Sequence, residues 1–401
     1  SLQPVYIPQI MVEDTLRALG KIGAAVAQEV NPKTIAITGS VGKTSVKEMC
    51  SAILATKGKV LATAGNFNNE IGVPLTLLRL EPEHEFAVIE LGANHIGEIA
   101  YTTGLTQPDV AVLNNVAEAH LEGFGSLAGV VQAKGEIFTG LGNKGVAIVN
   151  GDSEFKQTWL DALAQQFEGG QGQILEFSLA NDEGENPTFR ATEIELDKWG
   201  FAQFNLHFGD DCMPVKLGVP GRHNVANALA SAAACYAIGA SLDEIKQGLS
   251  NSSPVNGRVN LNPINETLLI IDDSYNANVQ SVKAAIDLVT SYPGTRMLVL
   301  GDMGELGHEA RRLHQEVGEY ALDKGLDYLY SFGVLSQSAS MVFEHQGKHF
   351  SSKQSLIDSI NQQIRQTNQE DSQASVAILV KGSRSAKMEL VVKQLIEDNS
   401  Q

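Results

Sequence analysis

The stretch Thr38-Gly39-Ser40-Val41-Gly42-Lys43-Thr44 constrains this chain more than any other part of it. It comes after the short apolar run 34–38 and precedes a segment with helical spacing, so it forms the turn of a β-loop-α unit. In such a turn the backbone N–H groups at the helix N-terminus surround a phosphate. Lys43 then adds a point charge, and the Thr44 hydroxyl can ligate magnesium. The bland alternative is a glycine turn with a helix-starting threonine; the strand before it and the helix after it favour phosphate. A β-loop-α opening also commits the next strands to run parallel, joined by crossover helices.

That expectation is met along the chain. The runs 86–91, 109–113 and 145–149 are apolar and separated by helix-length segments, as buried parallel strands of a doubly wound α/β domain would be. Between about 173 and 219 the texture changes to alternation, as in Thr188-Phe-Arg-Ala-Thr-Glu-Ile-Glu-Leu196 and 201–208, which predicts inserted antiparallel strands before a helix opening near His223. A turn-rich junction at 250–257 is the expected domain boundary. Strands predicted at 268–271, 297–300, 328–332 and 376–380 alternate with helices in a second α/β domain. A helix is predicted over 12–30, stopped by Asn31-Pro32. The 401 residues exceed what one core usually serves, which agrees with this division.

The net charge of -18 argues against a phosphate-tracking nucleic-acid binder, although a local basic pocket can still hold a nucleotide. No apolar run approaches the ~18 residues of a membrane span, and no charged-then-greasy leader opens the chain, so it reads as soluble and cytoplasmic. Cys50, Cys212 and Cys235 lack metal-like spacing and are expected to be buried thiols rather than a disulfide framework.

Glu90 closes a buried apolar run and therefore sits at a strand's carboxyl end, where open α/β sheets place their ligands. A carboxylate there can hold magnesium. The surrounding sequence is Glu90-Leu-Gly-Ala-Asn-His-Ile-Gly-Glu98. Further motifs are Gly65-Asn-Phe-Asn-Asn-Glu-Ile-Gly-Val-Pro74, Asn114-Asn-Val-Ala-Glu-Ala-His-Leu-Glu-Gly123 and Ala133-Lys-Gly-Glu136. Gly221-Arg-His-Asn-Val-Ala-Asn227, Asp272-Asp-Ser-Tyr-Asn-Ala-Asn278, Leu300-Gly-Asp-Met-Gly-Glu-Leu-Gly307 and Lys381-Gly-Ser-Arg384 complete the set. Together they resemble the Mur ligase family, and within it the D-alanyl-D-alanine-adding branch. Ile37 stands where the general phosphate loop has its first glycine. This shorter loop is similar to that of Mur ligases and folylpolyglutamate synthases, and less like that of GTPases or transport ATPases.

The resemblance implies a central phosphate-loop domain at 31–254, with a parallel sheet plus a small antiparallel sheet, and a Rossmann-like α/β C-terminal domain at 255–401. It implies that residues 1–30, which open on Ser1, are what remains of a uridine-nucleotide-binding domain and its linker. The implied activity is ATP- and Mg2+-dependent addition of D-alanyl-D-alanine to UDP-N-acetylmuramoyl-tripeptide through an acyl phosphate, in peptidoglycan precursor synthesis. The partners are then small-molecule substrates, with no nucleic acid and no membrane span, and the chain is expected to be a monomer in the bacterial cytoplasm.

Carried over residue by residue, Gly39, Ser40, Val41, Gly42, Lys43, Thr44 and Ser45 hold the ATP phosphates. Glu90 and His120 join Thr44 around magnesium, which suits carboxylate and imidazole donors. Lys134 matches a lysine that the family carries as a carbamate facing a second magnesium. His223, Asn224 and Asn227 approach the adenine, whose edge an amide can read with its paired donor and acceptor. Asp273 binds the ribose with Asn276 nearby, and Arg258 meets the terminal phosphate as the last domain closes. Lys381 and Arg384 resemble positions of the closed cleft, and Asn66, Asn69, Asn94 and His95 are the candidate substrate residues. Lys43, Lys134, His120 and Arg258 form the catalytic set.

Read without the resemblance, His120 is a surface or capping histidine, Lys134 a solvated helix charge and Asn224 a helix cap. Val279 replaces the family's usual proline after Asn276-Ala-Asn278, which predicts a looser backbone there. Two rivals stay open. One is a folylpolyglutamate synthase-like ligase, against which Glu90–His95 and 302–307 speak. The other is a nucleotide switch that ligates nothing. Phosphate release that requires both an acyl donor and an amine separates the classes.

Overall fold

Apolar residues on both faces of a strand leave it no wet side, so such strands must be covered twice. Strand β1 (Lys33–Thr38) obeys this to the residue: Ile35 and Ile37 enter one buried cluster and Ala36 the other. The same division runs through β3 (Phe86–Glu90) and β4 (Val110–Leu113), where Val88, Val110 and Val112 face one way and Ala87, Ile89, Ala111 and Leu113 the other. The computed structural model describes residues 8–117, 121–180, 188–371 and 373–400.

With β2 (Val60–Ala62), β5 (Val146–Asn150), β6 (Gln173–Ser178), β7 (Thr188–Leu196), β8 (Phe201–Phe208) and β9 (Asp211–Pro220), these strands form one nine-stranded sheet. Its order is β2-β3-β1-β4-β5-β6-β7-β8-β9. The antiparallel strands expected around 188–219 are present, yet they form no sheet of their own. β7 pairs parallel with β6, and β8 and β9 extend the same ladder antiparallel. β6 itself lies inside the stretch read as antiparallel and is parallel to both neighbours. Continuing the ladder satisfies the N–H and C=O groups that β6 would otherwise expose as an edge.

One face of this sheet is covered by the helices Lys43–Leu54 and His223–Ala237. The second is rich in alanine at its buried positions, including Ala228, Ala230 and Ala232, so it can lie close to its neighbours. The other face is covered by the helices Gly72–Leu77, Glu98–Thr106 and Leu127–Gly135. The N-terminal helix is Thr15–Val30, shorter than expected because the Asp14 carboxylate accepts from the Leu16 and Arg17 N–H groups at 2.8 and 3.0 Å and caps it. Val26, Ala27 and Val30 pack that helix onto the first sheet's core.

The second sheet contains β10 (Asn260–Pro263), β11 (Leu268–Asp273), β12 (Thr295–Gly301), β13 (Tyr328–Phe332), β14 (Gly347–Phe350) and β15 (Val376–Lys381). Its order is β10-β11-β15-β12-β13-β14, and every pairing except β10 with β11 is parallel. It too is covered twice, with Leu269 and Ile271 in one cluster and Leu268 and Ile270 in the other. Val279 does not loosen its surroundings. It is buried at the first turn of the helix Val279–Val289, where Asn278 and Ser281 form a reciprocal capping box. Cys50 and Cys235 are buried free thiols as expected, but Cys212 is exposed, near the start of the outermost strand β9. Among the described residues no helix is long and apolar enough to cross a membrane.

Candidate functional site

Parallel strands in register end together, and the loops after them gather on one side. Ile37 of β1 lies opposite Glu90 of β3, and Thr38 opposite Leu113 of β4. In the second sheet Asp273 of β11 lies opposite Lys381 of β15. A cavity of about 810 Å³ opens between these two sets of carboxyl ends. Of the residues expected to act, all but Gly39 and His120 line it; His120 lies outside the described residues.

The phosphate loop is held from behind by two asparagines that come directly after β4. The Asn115 side chain accepts from the Val41 N–H at 2.9 Å, and both Asn114 and Asn115 donate to the Val41 carbonyl at 3.0 Å. The Ser40 hydroxyl donates to the Ala117 carbonyl at 3.1 Å and accepts from its N–H at 2.9 Å. Gly42 has a φ of 79°, and a Cβ there would collide with Asn227 Oδ1 and lie 2.6 Å from Asn114 Nδ2, so no other residue fits. Gly39 sits behind the loop, and its carbonyl accepts from Lys43 Nζ at 2.7 Å. Burial lowers the Lys43 pKa and Arg258 adds to this, against the opposing charges of Glu90 and Glu305.

Glu90 is 3% exposed and fully engaged. Its carboxylate accepts from the Thr44 hydroxyl and from Asn68 Nδ2, both at 2.9 Å, while its N–H donates to the Thr63 hydroxyl. Thr44 and Glu90 thus present adjacent oxygens at the start of the helix Lys43–Leu54, a donor set suited to magnesium. Among the described residues no three acidic, histidine or cysteine side chains converge on a metal position.

Lys134 is not a solvated charge. It is 1% exposed on the helix Leu127–Gly135, with its ammonium 5.6 Å from the centre of the Phe124 ring. Burial, reinforced by the charge of Lys43, brings its pKa down to about 7. A substantial fraction is therefore a neutral, nucleophilic amine at physiological pH. Two residues on, Glu136 accepts from the Gly97 and Ala100 N–H groups at 2.7 and 3.0 Å and anchors the start of the helix Glu98–Thr106.

The helix His223–Ala237 contributes a chain of amides. Asn227 Nδ2 donates to Asn224 Oδ1 at 2.8 Å, Asn224 Nδ2 donates to the Pro220 carbonyl at 2.7 Å, and Asn114 Nδ2 donates to Asn227 Oδ1 at 2.9 Å. Asn227 therefore pairs with Asn224, and keeps one N–H and one lone pair for a further partner. Burial, with Lys381 adding to it, lowers the His223 pKa to about 4, so the ring is neutral.

The opposite wall comes from the second sheet. Asp273 and Lys381 form a buried ion pair, and Lys381 also donates to the Asn276 carbonyl at 3.0 Å. Burial raises the Asp273 pKa, against the pull of Lys381 and Arg258. The Arg258 guanidinium lies 4.6 Å from the Tyr275 ring centre, and its buried Nε has no hydrogen-bond partner among the described residues. An orphaned guanidinium N–H beside the phosphate loop suits an anionic oxygen. Arg384 lies 5.9 Å from the same ring and pairs with Glu389.

Asn66, Asn69, Asn94 and His95 reach the rim, where two have local duties. Asn69 Oδ1 accepts from the Gly72 N–H at 2.8 Å, and His95 Nδ1 lies 2.7 Å from Glu98. Residues that residue-by-residue reasoning passed over are Asn68, Asn114, Asn115 and Glu305. The paired asparagines directly after a buried strand had the same positional signal as Glu90; Asn68 and Glu305 had none outside the motifs containing them.

Two family descriptions match the chain, the Mur ligase middle domain over residues 37–235 and the Mur ligase glutamate ligase domain over residues 257–384. The chain is 48% identical over 396 residues to the UDP-N-acetylmuramoyl-tripeptide--D-alanyl-D-alanine ligase of Escherichia coli K12, covering 99% of this chain and 84% of that one. A crystal structure of MurF from Acinetobacter baumannii superposes with a TM-score of 0.90 at 36% identity, covering 99% of this chain and 84% of that one. MurF ligase from Thermotoga maritima, solved in complex with ADP, superposes with a TM-score of 0.83 at 26% identity over 99% of this chain and 87% of that one. With matches spanning both sheets and the cleft between them, this chain belongs to the Mur ligase family.

Proposed function

We propose that this chain joins D-alanyl-D-alanine to UDP-N-acetylmuramoyl-tripeptide, converting ATP to ADP and phosphate, as a step in peptidoglycan precursor synthesis. The observation that carries this reading is the cavity that sets the phosphate loop opposite Arg258, Asp273 and Lys381. ADP in the Thermotoga relative supports a nucleotide in this cleft.

In this reading the loop N–H groups and Lys43 hold the ATP phosphates, with Arg258 meeting the terminal one from the other wall. Asn227 offers its remaining donor and acceptor to the adenine, beside Asn224 and neutral His223. Asp273 and Asn276 take the ribose, which requires Lys381 to share its carboxylate. Asn66, Asn69, Asn94 and His95 border the muropeptide. Magnesium bound at Thr44, Glu90 and His120 would neutralise phosphoryl charge. The neutral amine form of Lys134 can add carbon dioxide and release a proton to become a carbamate, an anion able to face a second such ion.

The terminal carboxylate of the muropeptide attacks the γ-phosphorus of ATP, and the bond to ADP breaks. Lys43 and Arg258 balance the charge that spreads over the phosphoryl oxygens. The neutral amine of the dipeptide then attacks the acyl carbon, the tetrahedral intermediate expels phosphate with the C–O electron pair, the nitrogen gives up a proton to phosphate or water, and a peptide bond remains. The same reading puts the chain in the bacterial cytoplasm as a monomer. The test is ATP turnover against a panel of amino acids and dipeptides. Phosphate release should need both UDP-N-acetylmuramoyl-tripeptide and D-alanyl-D-alanine; turnover with glutamate and a folate instead, or with no amine at all, would overturn the assignment.

A further inference from the structure

Three amides of the cleft form a chain whose direction is dictated from both of its ends. A backbone carbonyl can only accept. Asn224 must therefore turn Nδ2 toward the Pro220 carbonyl, 2.7 Å away, and Asn114 must turn Nδ2 toward the Val41 carbonyl, 3.0 Å away. Asn227 lies between them. Its Nδ2 donates to Asn224 Oδ1 at 2.8 Å, and its Oδ1 accepts from Asn114 Nδ2 at 2.9 Å. Were Asn227 to flip, oxygen would face oxygen on one side and N–H would face N–H on the other. All three residues are buried, so neither mismatch could turn to water.

Asn114 is held firmly enough to act as one end of this lock. Its N–H donates to the Thr38 carbonyl at 2.9 Å, and its own carbonyl accepts from Asn150 Nδ2 at 2.8 Å. Its Nδ2 serves two acceptors, whereas its buried Oδ1 has no hydrogen-bond partner among the described residues. Turning this amide over would replace one orphaned oxygen by two oxygen–oxygen contacts, with Val41 and with Asn227. The orphan is thus the lesser cost of an orientation imposed by its neighbours. The end of β4 and the phosphate loop thereby decide which way Asn227 presents its remaining lone pair and N–H.

That order matters for a base. Adenine places an amino donor beside a ring acceptor, and only the amide oxygen can take the donor. A 6-oxopurine, such as the base of inosine triphosphate, has an oxygen in place of the amino group. It would meet the Asn227 oxygen lone pair to lone pair, while a flipped amide would offer it an N–H. We propose that Asn114 is the positioning residue that gives this cleft its preference for adenine over 6-oxopurines, by holding the Asn227 amide in one orientation; the role rests on the adenine reading above.

The test is the ratio of the dissociation constants of inosine triphosphate and ATP, measured by calorimetric titration of the whole chain and of Asn114→Asp, Asn114→Leu and Asn227→Leu. Both nucleotides carry the same triphosphate, so a disturbed phosphate loop, or repulsion from a new carboxylate, cancels in the ratio. Asn115 still holds Val41 in either Asn114 variant. In Asn114→Asp the carboxylate accepts from Asn227 Nδ2, and this charge-assisted bond outweighs the neutral one to Asn224. The amide turns over, and the ratio should fall by about tenfold or more. Asn114→Leu removes one of the two holds and should lower the ratio by about threefold. If either folded Asn114 variant keeps the parent ratio while Asn227→Leu lowers it, the proposal is overturned and the adenine reading stands. A parent ratio near one, or a ratio that Asn227→Leu leaves unchanged, would overturn the adenine reading and the lock with it.

Discussion

The two walls of the cleft handle polarity in opposite ways. On the first sheet's wall most polar groups are matched within the fold, Val41 by Asn114 and Asn115, Thr44 and Asn68 by Glu90, Asn227 by Asn224 and Asn114, with the buried Asn114 Oδ1 the exception that has no partner among the described residues. On the second wall Arg258 keeps a buried N–H unpartnered among the described residues, Asp273 and Lys381 hold each other, and Glu305 sits at a φ that costs stability. Groups satisfied in advance need no reorganisation when charge develops beside them. Groups left unmatched or paired only with each other gain most when a ligand arrives. The phosphate loop is thus largely preset, whereas the opposite wall keeps the groups that a ligand would complete.

The difference is broken most severely at Lys43. Lys43→Ala removes the charge of the preset wall without touching its packing, so kcat should fall by about a thousandfold or more while the circular dichroism spectrum is unchanged. Near-native turnover by the folded variant would show that the loop does not carry the chemistry.

A smaller effect, opposite in sign for stability and activity, is expected at Lys134. Its folded pKa of about 7 lies below the usual value of 10.5, so the unfolded chain binds more protons between these pH values, and stability rises with pH across that window. Lys134→Met removes the group, and in bicarbonate-free buffer at pH 7 it should be more stable than the parent by roughly 2–4 kcal/mol, a gain that vanishes above about pH 10.5. Denaturant melts at pH 7 and 10 check the sign. Equal gains at both would mean packing, not protonation, is responsible. Ligation should be lost in Lys134→Ala and partly restored by short-chain carboxylic acids.

Asn227→Leu should weaken ATP binding by about tenfold, because an apolar side chain unpairs Asn114 and Asn224 together with the adenine edge. Calorimetric titration reads this directly, and an unchanged Kd would remove Asn227 from the site. The smallest effect belongs to the second wall. Glu305→Gly relieves the positive φ and should stabilise the fold by about 1 kcal/mol, measured as a rise in the denaturant midpoint. A lower midpoint would mean that the Glu305 side chain supports the loop.

Much of this was legible because the signals were local. β7, β8 and β13 have the bounds their alternation or apolar runs suggest, and the phosphate loop and Glu90 stand where strand ends put them. β2 and β10, with three and four residues, are too short for any period to show. The direction of β6 is a relation between strands that no single segment encodes. The burial of Lys134 and the pairing of Asp273 with Lys381 depend on what folding brings from other parts of the chain, and a lysine codon says nothing of its solvent. The Asn114 and Asn115 clamp stood in plain view, but its partner Val41 lies more than seventy positions earlier.

Both walls act together only if the muropeptide carboxylate attacks ATP between them and an acyl phosphate forms. Ligation with UDP-N-acetylmuramoyl-tripeptide carrying oxygen-18 in its terminal carboxylate tracks that oxygen directly. The released phosphate should contain one labelled oxygen per peptide bond made, because the attacking oxygen leaves with phosphorus. Unlabelled phosphate alongside normal ligation would contradict an acyl phosphate at this cleft.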